Sequence, residues 1–226
     1  GTEALAAVGS TGSLNFLVNG FSTGIAGGFA VLPAQFFGAK DEKRLKKSVG
    51  QAILLCLFFT VLLTALSVIF TRPVLVLMKT PENIIGMADV YIKTIFWGIC
   101  ATILYNMCSC VIRALGDSKT PLYFLILASF LNIGLDLLFI IVFKWGVFGA
   151  AFATVLSQGV SGILCVIYAL KKYSILHLSK EDFKPDFSMM WKHLAIGLPM
   201  AFQFSITAIG TVSYTHLRAH ETLSDL

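Results

Sequence analysis

Hydrophobic and polar positions in this 226-residue chain alternate by whole segments rather than by single residues. Uncharged, mostly apolar runs fall at residues 13–39, 48–71, 94–112, 120–143 and 145–170, and a sixth opens near Leu194. A bilayer core about 30 Å thick needs about 20 residues of helix, and each complete run is long enough to supply them. The pattern predicts an all-α fold, a polytopic transmembrane helix bundle with five complete spanning helices and the start of a sixth. The run TPLYFLILASFLNIGLDLLFIIVF carries a single charge, Asp136. A charge at mid-membrane depth costs about 2.5–3.5 kcal/mol on insertion scales, so it is placed mainly where it faces protein, water or a cation. Asn132 lies one helical turn before it and Ser129 three residues earlier still, so the three make a polar stripe on an otherwise apolar helix.

In the first run Gly20, Gly24 and Gly28 recur every fourth residue, leaving one face without side chains for close helix packing. Asn15, Asn19, Ser22 and Thr23 on the same run leave open a second reading, a flexible helix lining a substrate path. The connections carry the charge. KDEKRLKK brings Lys40, Lys43, Arg44, Lys46 and Lys47; residues 72–89 bring Arg72 and Lys79; RALGDSK brings Arg113 and Lys119; then come Lys144 and, in the last connection, Lys171, Lys172, Lys180, Lys184 and Lys192. Counted alternately, one side holds twelve cations and the other three, which by the positive-inside rule makes the rich side cytoplasmic. The polar stretch 171–192 reads as a linker, His177 and His193 as solvated loop residues, and Met189 and Met190 as the apolar entry to the next helix.

Composition agrees with a membrane protein: 57% hydrophobic and 13% charged residues, with a mean hydropathy of +0.83. Cys56, Cys100, Cys108, Cys110 and Cys165 sit inside apolar runs without C-x-x-C spacing and read as small core residues. The net charge of +5 follows the loops rather than a basic, aromatic-interleaved face, so a nucleic-acid partner is not expected. The opening GTEALAAVGSTG has no signal-peptide pattern and starts as a fragment would. Beyond Thr211 an apolar helix gives way to VSYTHLRAHETLSDL, which reads as a translated sequencing adaptor; residues 212–226 are set aside, and with them a metal reading of His216 and His220.

Five stretches in this order resemble the multidrug and toxic compound extrusion (MATE) family: ALAAVG from Ala4, AQFFGA from Ala34, RALGDSKTP from Arg113, NIGLDLLFI from Asn132 and GVFGAAFATVLSQ from Gly146. The resemblance covers residues 1–211 and implies helices 2–6 and the start of helix 7 of a twelve-helix, two-lobed fold. Residues 1–170 would be the N-terminal lobe without its first helix, 171–192 the cytoplasmic inter-lobe linker, and 193–211 the start of the C-terminal lobe. It also implies a cation site: Asn132 and Asp136 match the family's helix 5 pair and Thr154 its helix 6 threonine, while the helix 1 acid would lie upstream of Gly1. Many members have proline directly after the helix 5 aspartate, where Leu137 stands here.

A carboxylate in low dielectric can hold a proton or Na⁺ in one state and release it in another. Read with the resemblance, Asp136 would bind the coupling ion, Na⁺ or H⁺, and Asn132 and Thr154 would add oxygens. Inward ion flow across the plasma (inner) membrane would then drive an amphipathic, often cationic, organic solute outward. The expected partners are the lipid bilayer, that solute, and the missing first helix and second lobe; no cofactor is expected. The bland alternative makes Asp136 and Asn132 interhelical glue. Arg113 and Asp117 read as a capping pair, with a gate as the alternative, and Gln158, Asn106, Gln35 and Gln51 are unranked candidates for lining a cavity. The rivals are a lipid-linked precursor flippase of the same superfamily, which would need several cations in its cavity, and a channel or membrane scaffold. An enzyme is not expected: there is no Ser-His-Asp set, metal-spaced His or Cys cluster, or phosphate loop.

Overall fold

The computed structural model describes residues 2–224, with side chains through Thr207. The expectations for residues 212–226, His216 and His220 included, concern side chains outside that description. Nine helices follow one another, with no strand among the described residues: α1 (Thr2–Ser10), α2 (Gly12–Phe29), α3 (Val31–Gly38), α4 (Glu42–Leu77), α5 (Glu82–Trp97), α6 (Ile99–Ala114), α7 (Lys119–Asp136), α8 (Gly146–Lys172) and α9 (Phe187–Ser224). α2 and α3 form one span, Gly12–Gly38, and α4, α7 and α8 are long and apolar enough to span as well. A fifth span is formed if α5 and α6, which meet at 43°, count as one crossing. This is a multi-pass membrane protein.

Three boundaries differ from the sequence expectation. The connection at residues 72–89 is mostly helix, because α4 runs on through Pro73 to Leu77 and α5 opens at Glu82. Proline removes only one hydrogen bond from a helix interior, and a long arginine such as Arg72 can stay helical while its head reaches polar surroundings. Residues 94–112 are not one continuous span but the end of α5 and most of α6, broken at Gly98, where an added Cβ would strike the Val155 side chain. Lys93 and Asp89 also lie inside α5, bonded to each other at 2.8 Å one turn apart, so a count of unpaired charges cut that helix short. Finally, α9 begins at Phe187, ahead of the expected residue 193.

The glycine face of α2 meets α9. A Cβ on Gly24 would collide with the Ala201 backbone and one on Gly28 with Gly197, while one on Gly20 would stand 3.2 Å from the Phe204 carbonyl. The opposing residues Gly197, Ala201 and Ser205 recur every fourth position too, so the two backbones touch along two turns. His193 belongs to this junction and is not a solvated loop residue: it is fully buried, with Nε2 3.1 Å from Ser48 Oγ and its ring edge-on to Phe29. The earlier start of α9 carries it into the bundle. His177 is exposed, as expected. Of the cysteines, Cys56, Cys110 and Cys165 are buried but Cys100 is exposed, facing outward from the bundle rather than into its core.

The linker is tied down. Gln51, fully buried on α4, donates from Nε2 to the carbonyls of Asp182 (2.9 Å) and Lys184 (3.0 Å), and its Oε1 accepts from the Asp186 N–H (2.9 Å). Lys47 pairs with Asp186 at 3.0 Å, and Gly50 leaves room for the Asp182 carbonyl. The Met189 N–H and then Lys47 hold the Asp186 carboxyl below its usual range. Asp117 does the same work between α7 and α8. Its carboxylate accepts from the Thr120 N–H (3.0 Å) and hydroxyl (2.7 Å), from Lys172 (2.7 Å) and from Tyr173 (2.9 Å). Arg113 does not join it and donates instead to Cys110 Sγ at 3.0 Å. These ties gather the cation-rich connections at one end of the bundle.

Gly24→Ala should lower stability by about 1–3 kcal/mol through overpacking, whereas Gly86→Ala, with nothing within 4 Å, should be neutral or stabilising; thermal unfolding in detergent compares them. Gln51→Leu leaves three linker backbone groups unpaired, which costs about 1–3 kcal/mol for each that stays dry, and should speed tryptic cleavage at Lys180 and Lys184. Lys172 first and Thr120 next hold the Asp117 carboxyl well below the carboxylate range. The stabilisation is therefore present above the unfolded value of about 4 and is lost as pH falls through the lower folded value. Melting temperature should fall more steeply on acidification below about pH 4 in the wild type than in Asp117→Asn.

Candidate functional site

α7 is apolar on nearly every side, so its polar residues define a face by themselves. Asn132 and Asp136, four residues apart, project from that face about 6 Å apart along the axis. α8 brings Thr154 opposite: Asn132 Nδ2 donates to Thr154 Oγ1 at 3.4 Å, and Thr154 Oγ1 donates to the Ala150 carbonyl at 3.1 Å. The threonine proton is thus spent within its own helix, and its oxygen accepts from Asn132. Asp136 is half-buried, and its Oδ1 is shielded from solvent with no hydrogen-bond partner among the described residues. Ser129, the third residue of the stripe, does not join them: it is exposed and donates to the Leu125 carbonyl of its own helix at 3.0 Å.

The α-helix changes character directly after Asp136. Residues Leu137–Val142 form a π-helical segment, so the wider turn begins where many members of the resembled family place proline. Single-turn π segments inside helices are frequent at functional sites. Here the segment is held by aromatic stacking, with Phe139 5.0 Å from Trp145 and 5.9 Å from Phe143 between ring centroids.

A donor set of one carboxylate and two neutral oxygens suits a proton or a monovalent hard cation better than a transition metal, which draws on His and Cys. No group of three His, Cys, Asp or Glu capable of holding a metal occurs among the described residues. α5 adds one feature that residue patterns missed. Asp89 also keeps a buried oxygen, Oδ1, without a hydrogen bond, its other oxygen being engaged by Lys93. The i, i+4 spacing of Asp89 and Lys93 was the available signal.

The remaining candidates are spent between helices. Gln158 accepts from the Thr102 hydroxyl at 2.6 Å, joining α8 to α6, and Asn106 donates to Thr23 at 3.3 Å, joining α6 to α2. Asn19 donates to Asn15, and Ser22 bonds the Val18 carbonyl of its own helix. Gln51 clamps the linker, Gln35 is exposed, and Arg113 and Asp117 make no ion pair with each other among the described residues.

Known proteins share this fold. The family model MatE matches residues 1–138. The chain is 34% identical over 226 residues to "Probable multidrug resistance protein YoeA" of Bacillus subtilis, covering 96% of this chain and 49% of that protein. It is 26% identical to an "FAD transporter" of Shewanella oneidensis, covering 97% and 50%. Among solved structures it superposes on an inward-facing multidrug resistance MATE family transporter of the MOP superfamily with a TM-score of 0.85 at 25% identity, covering 92% of this chain and 48% of that one. An outward-facing conformation matches with a TM-score of 0.83 at 26% identity, covering 90% and 46%. The chain spans about half the length of the relatives it matches. With the family model covering more than half of the sequence and the same helices recurring in those structures, the chain belongs to the MatE family, which comprises membrane transporters and not enzymes.

Proposed function

We propose that the intact protein is a secondary active exporter of amphipathic, often cationic, organic compounds, driven by inward movement of Na⁺ or H⁺, and that Asp136 is where the coupling ion loads. One observation carries the reading: Asp136 keeps a buried oxygen with no protein partner, beside an amide and a hydroxyl that already bridge α7 and α8. Glue between helices would have used that oxygen. In this reading Asn132 and Thr154 supply neutral oxygens, an acid on a first helix upstream of Gly1 completes the site, and a second lobe following α9 forms the other wall of the transport path. The membrane is the plasma or inner membrane, with the cation-rich end cytoplasmic.

The names of relatives support drug export, and one of them, an FAD transporter, marks an anionic solute as the alternative cargo. The precursor flippase is disfavoured by the scarcity of cations within the spans: Lys93 is the one inside α5, and Asp89 already engages it. In the intact protein Asp136→Asn should reduce ion-driven efflux to the background of empty vesicles while leaving folded yield unchanged. Asn132→Ala and Thr154→Ala should each weaken the apparent ion affinity about tenfold, the value of one hydrogen bond or ligand to a charged group. Efflux by Asp136→Asn at the wild-type rate would sink the site assignment.

A further inference from the structure

On the side of the bundle away from Asp136, α4 and α8 do not close over α6. A cavity of about 520 Å³ lies there, bounded by Val49 and Ile53 of α4, Leu104 and Met107 of α6, and Val166 and Leu170 of α8, and roofed by Leu176, Leu178 and Phe183 of the linker. A second cavity of about 360 Å³ shares Ile53, Leu104 and Met107 with the first and reaches Cys100, so the two form one slot. From Val111 to Cys100 the slot follows twelve residues of α6, a rise of about 16 Å, which is about half the hydrocarbon thickness of a bilayer. That is the reach of one acyl chain.

The lining is apolar, so water does not occupy it stably, and its volume is that of a ligand site rather than a packing flaw. Its mouth lies at the cation-rich end. His177 lines the mouth and is exposed. Lys171 directly follows Leu170, and Lys180 lies two residues after Leu178; neither makes an ion pair among the described residues, whereas Lys172 is engaged by Asp117 and Lys184 by Glu181.

We propose that this slot holds an acyl chain of an anionic phospholipid, with the phosphate held at the mouth by Lys171, Lys180 and His177. A protein helix is a poor alternative occupant. Ile163 in the slot is nine residues after Thr154, two and a half turns along α8, and so on the opposite face. A helix that completed the Asp136 site would therefore stand on the other side of α8. The linker, fixed by Gln51, is the lid that turns an open groove into a slot.

The test uses the intact protein in vesicles containing phosphatidylglycerol with a photoactivatable group at mid-chain. Labelling should concentrate on peptides bearing Met107, Cys108 and Val166. Unlabelled phosphatidylglycerol should compete better than phosphatidylethanolamine. Leu104→Trp, which fills the slot from a partly exposed position, should remove that labelling and spare the background on Leu125 and Phe130 of α7. Lys171→Gln and Lys180→Gln, both on exposed residues, should each weaken retention about fivefold, the effect of one surface charge on an anionic lipid. Equal labelling of α7 and the slot, indifference to Leu104→Trp, equal competition by the two lipids, or cross-linking of slot residues to another helix of the same protein would each overturn the proposal. None of these readouts involves Asp136, so the exporter reading and the lipid site fail separately.

Discussion

Hydrocarbon offers no hydrogen bonds, and most of the described polar groups at membrane depth are arranged under that constraint. Hydroxyls answer it cheaply within their own helix: Ser22 to Val18, Thr60 to Cys56, Thr94 to Val90 and Thr154 to Ala150 each return a proton to the carbonyl one turn back. Amides need a neighbour. Asn106 reaches Thr23, Gln158 takes the Thr102 proton, and Asn132 reaches Thr154, so the three contacts stitch α6 to α2, α6 to α8 and α7 to α8. Against that economy the unshared oxygen of Asp136 is an exception, as is that of Asp89, and its position beside the α7–α8 stitch is why chemistry is proposed there and not at Gln158.

The spanning runs and the glycine face were legible in the sequence because apolar length and four-residue spacing are properties of the chain itself. Asn132 and Asp136 stand out for the opposite reason, as polar residues where almost nothing else is polar, whereas Thr154 was legible only through the family resemblance; the structure sets it against Asn132. What failed depended on partners. His193 looked solvated because lysines and a linker surround it in sequence, and only the docking of α9 against α2 and α4 buries it. The α5 helix was cut short because Asp89 and Lys93 were counted as two charges, when one turn of helix makes them a pair. Gln51 could not be ranked among the amides because all of its partners are backbone groups more than a hundred residues away.

The two faces of α8 divide the molecule's labour. The Thr154 side meets α7 at Asn132; the Ile163 side is left to the slot along α4 and α6. α6 stands between α2 and α8 and bonds to both, so it is the internal strut on which the bundle is built.

The anchoring of the linker has a consequence for assembly. Gln51 grips the chain at Asp182, Lys184 and Asp186, and α9 starts at the very next residue, Phe187. The step from the clamped linker to α9 therefore has almost no slack, and α9 is delivered to the glycine face of α2 already oriented. Joining of the two helices becomes a zipping step from a fixed end, with a high effective concentration in place of a search through the bilayer.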